Sequence, residues 1–287
     1  MEIPVRFQCE ADWLNAIVHR PAQPLARGVL VIVGGPQHRV GSHRQFVLLA
    51  RALAEQGIAA MRFDYRGMGD SSGMPHTFEQ IDADIDAAIK AFVAHVPQLK
   101  EVVLWGLCDA ASAALFYASG SGRGENPIVA GLVLLNPWVR TEAGIAGAYL
   151  RHYYLARVVD AEFWRKVFRG EVKVASVVKS IVSMVITRFD WSGGGKGERS
   201  RDRSAHLPDR MLDALRDFSG RVLLILSGDD LTAEEFRHTA TSSHEWRDAL
   251  RATRVTRHEL AAANHTFARK EWRDQVTAWT DQWLRSW

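Results

Sequence analysis

The strongest constraint on the fold is the regular exchange of short β-branched runs for longer amphipathic stretches. Arg27–Val33 is a β-branched run that ends in Gly34-Gly35-Pro36, the pattern of a buried strand. Ser42–Gln56 has the helical spacing of Phe46, Leu49 and Leu53 and stops at Gly57, a suitable C-cap. The exchange then repeats: strand Ile58–Phe63, helix Phe78–Val96 ended by Pro97, strand Val102–Trp105, helix Ala110–Ser119 and strand Ile128–Leu135. Arg221–Ser227 and Arg254–Leu260 read as two further strands, and Glu271–Trp287 as a closing helix. At the start, Val5–Gln8 and Trp13–His19 can pair as an antiparallel hairpin. Strands separated by helices of roughly 10–15 residues imply right-handed βαβ units and a mostly parallel sheet.

The rhythm stops between Leu135 and Arg221, where no strand pattern occurs. Val139–Gly220 holds fifteen basic and ten acidic residues and the rest of the chain 21 and 23, so the net +3 divides into +5 and −2. That balance gives no ground for nucleic-acid binding. Within this stretch Val174, Val177, Val178, Ile181, Val182, Val185 and Ile186 share one face at helical spacing. Ser192–Ser204 is glycine-rich and charged, and the segment 192–206 is expected to be flexible. A chain with 47% hydrophobic residues buries a core rather than staying disordered. With two cysteines, no leader-like apolar segment at Met1–Glu10 and no apolar run of membrane-spanning length, the expectation is a cytoplasmic protein with reduced thiols.

The sharpest local signal is Gly106-Leu107-Cys108-Asp109-Ala110, set between a strand and a helix. Small residues flanking a nucleophile let the chain turn sharply and leave the reactive atom at a helix N-terminus. Cys108 stands at the nucleophile position, and a helix N-terminus favours its thiolate. A small buried thiol beside a glycine turn would look the same in isolation, so other motifs must decide.

Phe63-Asp64-Tyr65-Arg66-Gly67-Met68-Gly69-Asp70-Ser71, directly after a strand, resembles the Asp-x-Arg-Gly-x-Gly-x-Ser stretch of the α/β-hydrolase superfamily. In that likeness Asp64 and Arg66 fix a tight loop by hydrogen bonds. Gly34-Gly35-Pro36-Gln37 resembles the superfamily's glycine-rich oxyanion loop. The two donors implied are the amides of Asp109 and of a loop residue; Pro36 has no N–H, so Gln37 is preferred and Gly35 is the alternative. The resemblance places the triad acid after the seventh strand, where Asp230 fits the spacing better than Asp229. It places the histidine after the eighth, at His265, with His38 and His43 as competitors.

The resemblance therefore implies an α/β-hydrolase fold with an eight-stranded, mostly parallel sheet and a triad of Cys108, Asp230 and His265. The core is 1–138 and 221–287, with 139–220 a helical cap inserted between strands six and seven. Gly34–Phe46 and Gly106–Ser112 are similar, more narrowly, to the type 1 hydrolases associated with the exosortase A system, bacterial proteins linked to exopolysaccharide and surface-protein sorting loci. The implied chemistry is acyl transfer from a small-molecule ester or thioester through an acyl-cysteine, ending in hydrolysis. An acyltransferase and a non-catalytic binder on the same scaffold remain as alternatives. The apolar cap face also suits a lipid-like chain or a membrane surface, and its basic excess an acidic substrate. No motif calls for a metal or cofactor. Oligomeric state is left open.

Overall fold

Along β3 (Arg27–Ile32), Val29 and Val31 face one side of the sheet while Leu30 and Ile32 face the other, and all four are fully buried. A strand covered on both faces needs apolar residues at every position, which is why the sequence reads as a continuous run there. In the computed structural model, residues 1–35, 37–120, 128–139 and 206–287 are described. Their strands are β1 (Glu2–Cys9), β2 (Asp12–His19), β3, β4 (Ala60–Asp64), β5 (Glu101–Leu107), β6 (Val129–Leu135), β7 (Arg221–Asp229) and β8 (Val255–Asn264). They form one sheet in the order β1-β2-β4-β3-β5-β6-β7-β8. The expected hairpin of β1 and β2 is present, β2 pairs antiparallel with β4, and every pairing from β4 through β3, β5, β6 and β7 to β8 is parallel.

The described helices are α1 (Gln45–Glu55), α2 (Asp82–His95), α3 (Asp109–Ser119), α4 (Leu207–Asp217), α5 (Leu231–Ser242), α6 (His244–Arg251) and α7 (Lys270–Arg285). One face of the sheet carries α1 and α7, whose Phe46, Leu49, Leu53, Val276 and Trp283 pack on Val29, Val31, Trp105, Val133 and Ile225. Ile85 and Phe92 of α2, Leu115 of α3, Met211 of α4, Phe236 of α5 and Trp246 of α6 belong to the core on the other face.

Several expected boundaries shift for local reasons. The helix expected from Ser42 begins at Gln45, because His43 and Arg44 hold positive φ of 52° and 61° and break the spiral. The helix expected from Phe78 is a short 3₁₀ turn, Phe78–Gln80, followed by α2. Strand β8 runs four residues beyond its expected end, past a register shift on its β7 side between Ser227 and Asp229. Helices α5 and α6 were not anticipated, since α5 buries only Thr232, Ala233, Phe236 and Ala240 and its apolar stripe is faint in sequence.

By internal contacts the chain divides into Met1–Arg140 with Leu207–Trp287, and Thr141–His206. Helix α4, placed with the inserted cap by the sequence reading, lies in the first of these units and buries Met211, Leu212 and Leu215. The apolar face at Val174–Ile186 and the glycine-rich stretch 192–205 lie outside the described residues. Among the described residues no helix is long and apolar enough to cross a membrane.

Candidate active site

The carboxyl ends of the parallel strands are where open α/β sheets gather their chemistry. Here those ends deliver the loop at Gly34–Gly35, Cys108, Asn136, Asp230 and His265.

Cys108 is the residue between β5 and α3, with φ 64° and ψ −125°. A non-glycine residue with such a dihedral costs energy and persists only where its surroundings hold it. They do: the Cys108 amide donates to Leu135 O at 2.9 Å, and Cys108 O accepts from the amides of Ala111 at 3.1 Å and Trp138 at 3.2 Å. The turn also requires glycine at 106, because a Cβ there would sit 2.5 Å from the backbone of Ala110. Cys108 is partly exposed, whereas Cys9 is buried and its thiol is pushed up to about 11, mainly by burial.

His265 follows β8. Its Nδ1 lies 3.0 Å from Asp230 Oδ2, and the Asp230 side chain is 8% exposed. The contact falls short of a straight hydrogen bond and is best described as a charge pair; such contacts often tighten only around a bound substrate. Burial alone would lower the His265 pKa, but the side chains of Asp230 and Cys108 outweigh it and raise it to about 10. Burial likewise works to raise Asp230, yet His265 and the amides of Ala233 and Thr232 bring it below its ordinary value. Asp230 is also the N-cap of α5, accepting the Ala233 amide at 2.9 Å. Asp229 ends β7 and is exposed, and His38 and His43 are exposed in the loop before α1.

The loop after β3, from which Gln37 or Gly35 is expected to donate, has both amides engaged. The Gln37 amide donates to Gly35 O at 2.8 Å. The Gly35 amide donates to Asp109 Oδ2 at 2.9 Å, and Asp109 Oδ1 accepts from Ala110 N at 3.0 Å. Gly34 lies so close that a Cβ there would collide with the Asp109 carboxyl group. Burial raises the Asp109 pKa against the pull of the Gly35 and Ala110 amides.

The loop after β4 is fixed as expected. Arg66 pairs with buried Asp84 through its backbone amide at 2.8 Å and its guanidinium at 2.9 Å, and also binds Glu10. Asp64, fully buried, accepts the Arg39 amide at 2.6 Å and pairs with the Arg39 guanidinium, tying the loop after β3 to the loop after β4.

Sequence reasoning missed three contributors: Arg39, the carboxyl group of Asp109, and Asn136. The last is fully buried with φ 42°. Its Nδ2 donates to Ser227 Oγ at 2.9 Å and to His265 O at 3.1 Å, while its Oδ1 accepts from Ser227 N at 2.9 Å. Its place directly after β6, at the carboxyl end of a buried strand, was the available signal. Among the described residues no group of three or more His, Cys, Asp or Glu side chains is placed to hold a metal ion.

The Alpha/beta hydrolase family profile matches residues 29–279. An esterase from Pyrococcus furiosus aligns with TM-score 0.64 at 16% identity, over 100% of this chain and 93% of that one. Est1E from Butyrivibrio proteoclasticus, with ferulic acid bound, aligns with TM-score 0.61 at 16% identity, over 98% of this chain and 97% of that one. The quorum-quenching protein AidA of Acinetobacter baumannii is 28% identical over 128 residues, 42% of this chain and only 40% of that protein's length. The structural likenesses establish the fold, an α/β-hydrolase sheet with helices on both faces.

Proposed function

The chain belongs to the Alpha/beta hydrolase family, and on that footing we propose that it hydrolyses a small-molecule ester or thioester through Cys108, His265 and Asp230. The observation that carries this reading is geometric: His265 Nδ1 lies 3.0 Å from Asp230 Oδ2, and Cys108 is held with positive φ at the sharp turn between β5 and α3. A sulfur at the turn between β5 and α3, an imidazole beside it and a carboxylate behind the imidazole are the parts of an acyl-transfer site. The Cys108 thiolate attacks the carbonyl carbon, and the carbonyl π pair moves onto oxygen. His265 gives its proton to the leaving alcohol or thiol, then takes one from the water that attacks the acyl-cysteine. Asp230 holds the imidazole and stabilises imidazolium. The oxyanion is received by the Asp109 amide and by a loop amide, Gln37 or Gly35, once released from its present acceptor; such a donor is worth about 2.7–4 kcal/mol.

The narrower likeness to exosortase-associated hydrolases suggests an acyl compound of exopolysaccharide or surface-sorting metabolism, with the acyltransferase reading kept by the reactivity of an acyl-cysteine toward other acceptors. Cys108→Ala is expected to abolish p-nitrophenyl acetate turnover without lowering Tm by more than a few degrees. Iodoacetamide at neutral pH should label Cys108 far faster than buried Cys9, read by peptide mass spectrometry. Full turnover in Cys108→Ala would remove Cys108 from the mechanism.

A further inference from the structure

The carboxyl group of Asp109 occupies an amide of the loop after β3. An oxyanion on carbon bonded to Cys108 Sγ looks for the Asp109 amide and for one amide of the loop after β3. Pro36 has no N–H, and the Gln37 amide is turned onto Gly35 O. That leaves Gly35, and its amide is bonded to Asp109 Oδ2 at 2.9 Å, with the second carboxyl oxygen on Ala110 N at 3.0 Å. The contact joins the start of α3 to a loop 74 residues away, so it reaches beyond the first turn of that helix. Gly34 completes the arrangement, since any side chain there would strike the same carboxyl group. Two anions cannot share one amide in a partly buried site without strong repulsion.

We infer that Asp109 gates the oxyanion donors, its carboxylate holding the Gly35 amide and yielding it, by rotation or by taking a proton, before a tetrahedral intermediate can form. The inference rests on the reading of Cys108 as nucleophile. Its charged neighbours are His265, whose positive charge favours the carboxylate form, and the Tyr65 hydroxyl, whose ionisation the carboxylate opposes. The gate separates two reactions of the same thiolate. Acylation by an ester forms the S–C bond, puts the π pair on oxygen and then expels phenolate, so it needs the donors. Alkylation by iodoacetamide forms the S–C bond as iodide departs, and no oxyanion arises.

The experiment measures both rates at pH 7 on the full chain: the acylation burst with p-nitrophenyl acetate and the alkylation rate with iodoacetamide, each mapped to Cys108 by mass spectrometry. Asp109→Asn is the first variant. Asp109→Ser, which keeps a short side-chain oxygen near the Ala110 amide but removes the charge, is the second, and melting curves show that the variant compared is folded. The expected result is a rise of at least tenfold in the ratio of acylation to alkylation. A ratio within threefold of the unsubstituted protein, or a fall, overturns the gate while leaving the nucleophile assignment standing. Absence of both labels at Cys108, in the unsubstituted protein and in the variants alike, overturns the nucleophile assignment and the gate together.

Discussion

Asn136 ties three parts of the site together with one side chain. It joins the end of β6 to Ser227 on β7 and holds the His265 carbonyl, without touching the reacting atoms. Its φ of 42° is a conformation that asparagine tolerates better than alanine does. Asn136→Ala leaves the buried Ser227 amide and the His265 carbonyl unpaired and adds backbone strain, a loss of about 2–4 kcal/mol. Asn136→Gly relieves the strain and keeps the unpaired groups. The alanine variant is therefore expected to melt lower than the glycine variant, by about 1 kcal/mol. Both should lose ester turnover by roughly ten- to a hundredfold through displacement of His265. Equal melting with unchanged kcat would assign Asn136 a packing role alone.

Helix α5 begins on the residue that pairs with His265, so one carboxylate does two jobs that mutation can separate. Asp230→Asn keeps a side-chain oxygen to cap α5 and removes the charge; Asp230→Ala removes both. The asparagine variant should retain most of the stability, while the alanine variant loses a further increment of about 1 kcal/mol for the cap. Both should bring the His265 pKa down from about 10, which NMR titration of the imidazole reads directly. The elements at this scale were legible in sequence to different degrees. The β-branched strands and the elbow were readable because burial on both faces and a glycine forced by contact with Ala110 leave unmistakable patterns. The positions of Cys108, Asp230 and His265 were readable because each follows a strand end. Helices α5 and α6 were not, because alanine and threonine fill much of the buried face of α5 and α6 buries little beyond Trp246. The bonding of the loop after β3 was not readable either, since the partner of the Gly35 amide is a side chain from a distant turn that no spacing rule reaches.

The whole molecule should show a stability maximum close to pH 6.5, because its buried titrating groups pull in opposite directions on either side. The His265 pKa is raised to about 10 from an ordinary 6.5, so its stabilising contribution is complete below 6.5 and is lost as pH rises through about 10. Cys9, raised to about 11 from 9.0, and Tyr65, raised to about 12 from 10.0, add to the same limb. Their burial favours the neutral form, so the unfolded chain ionises first as pH rises. His19 acts on the other limb. It is fully buried on β2, accepts from Arg62 Nε at 2.9 Å, and burial followed by the Arg62 charge pushes its pKa down to about 4. Between pH 6.5 and 4 the unfolded chain therefore takes up a proton that the folded chain refuses, and stability falls as pH falls. Melting curves from pH 4 to 10 should thus rise and then decline. His265→Gln should flatten the alkaline limb and leave the acid limb in place. His19→Gln, whose amide oxygen can still accept from Arg62, should flatten the acid limb and leave the alkaline one. A variant that lowers Tm equally at every pH would show that its histidine contributes by packing, with no part in the pH response.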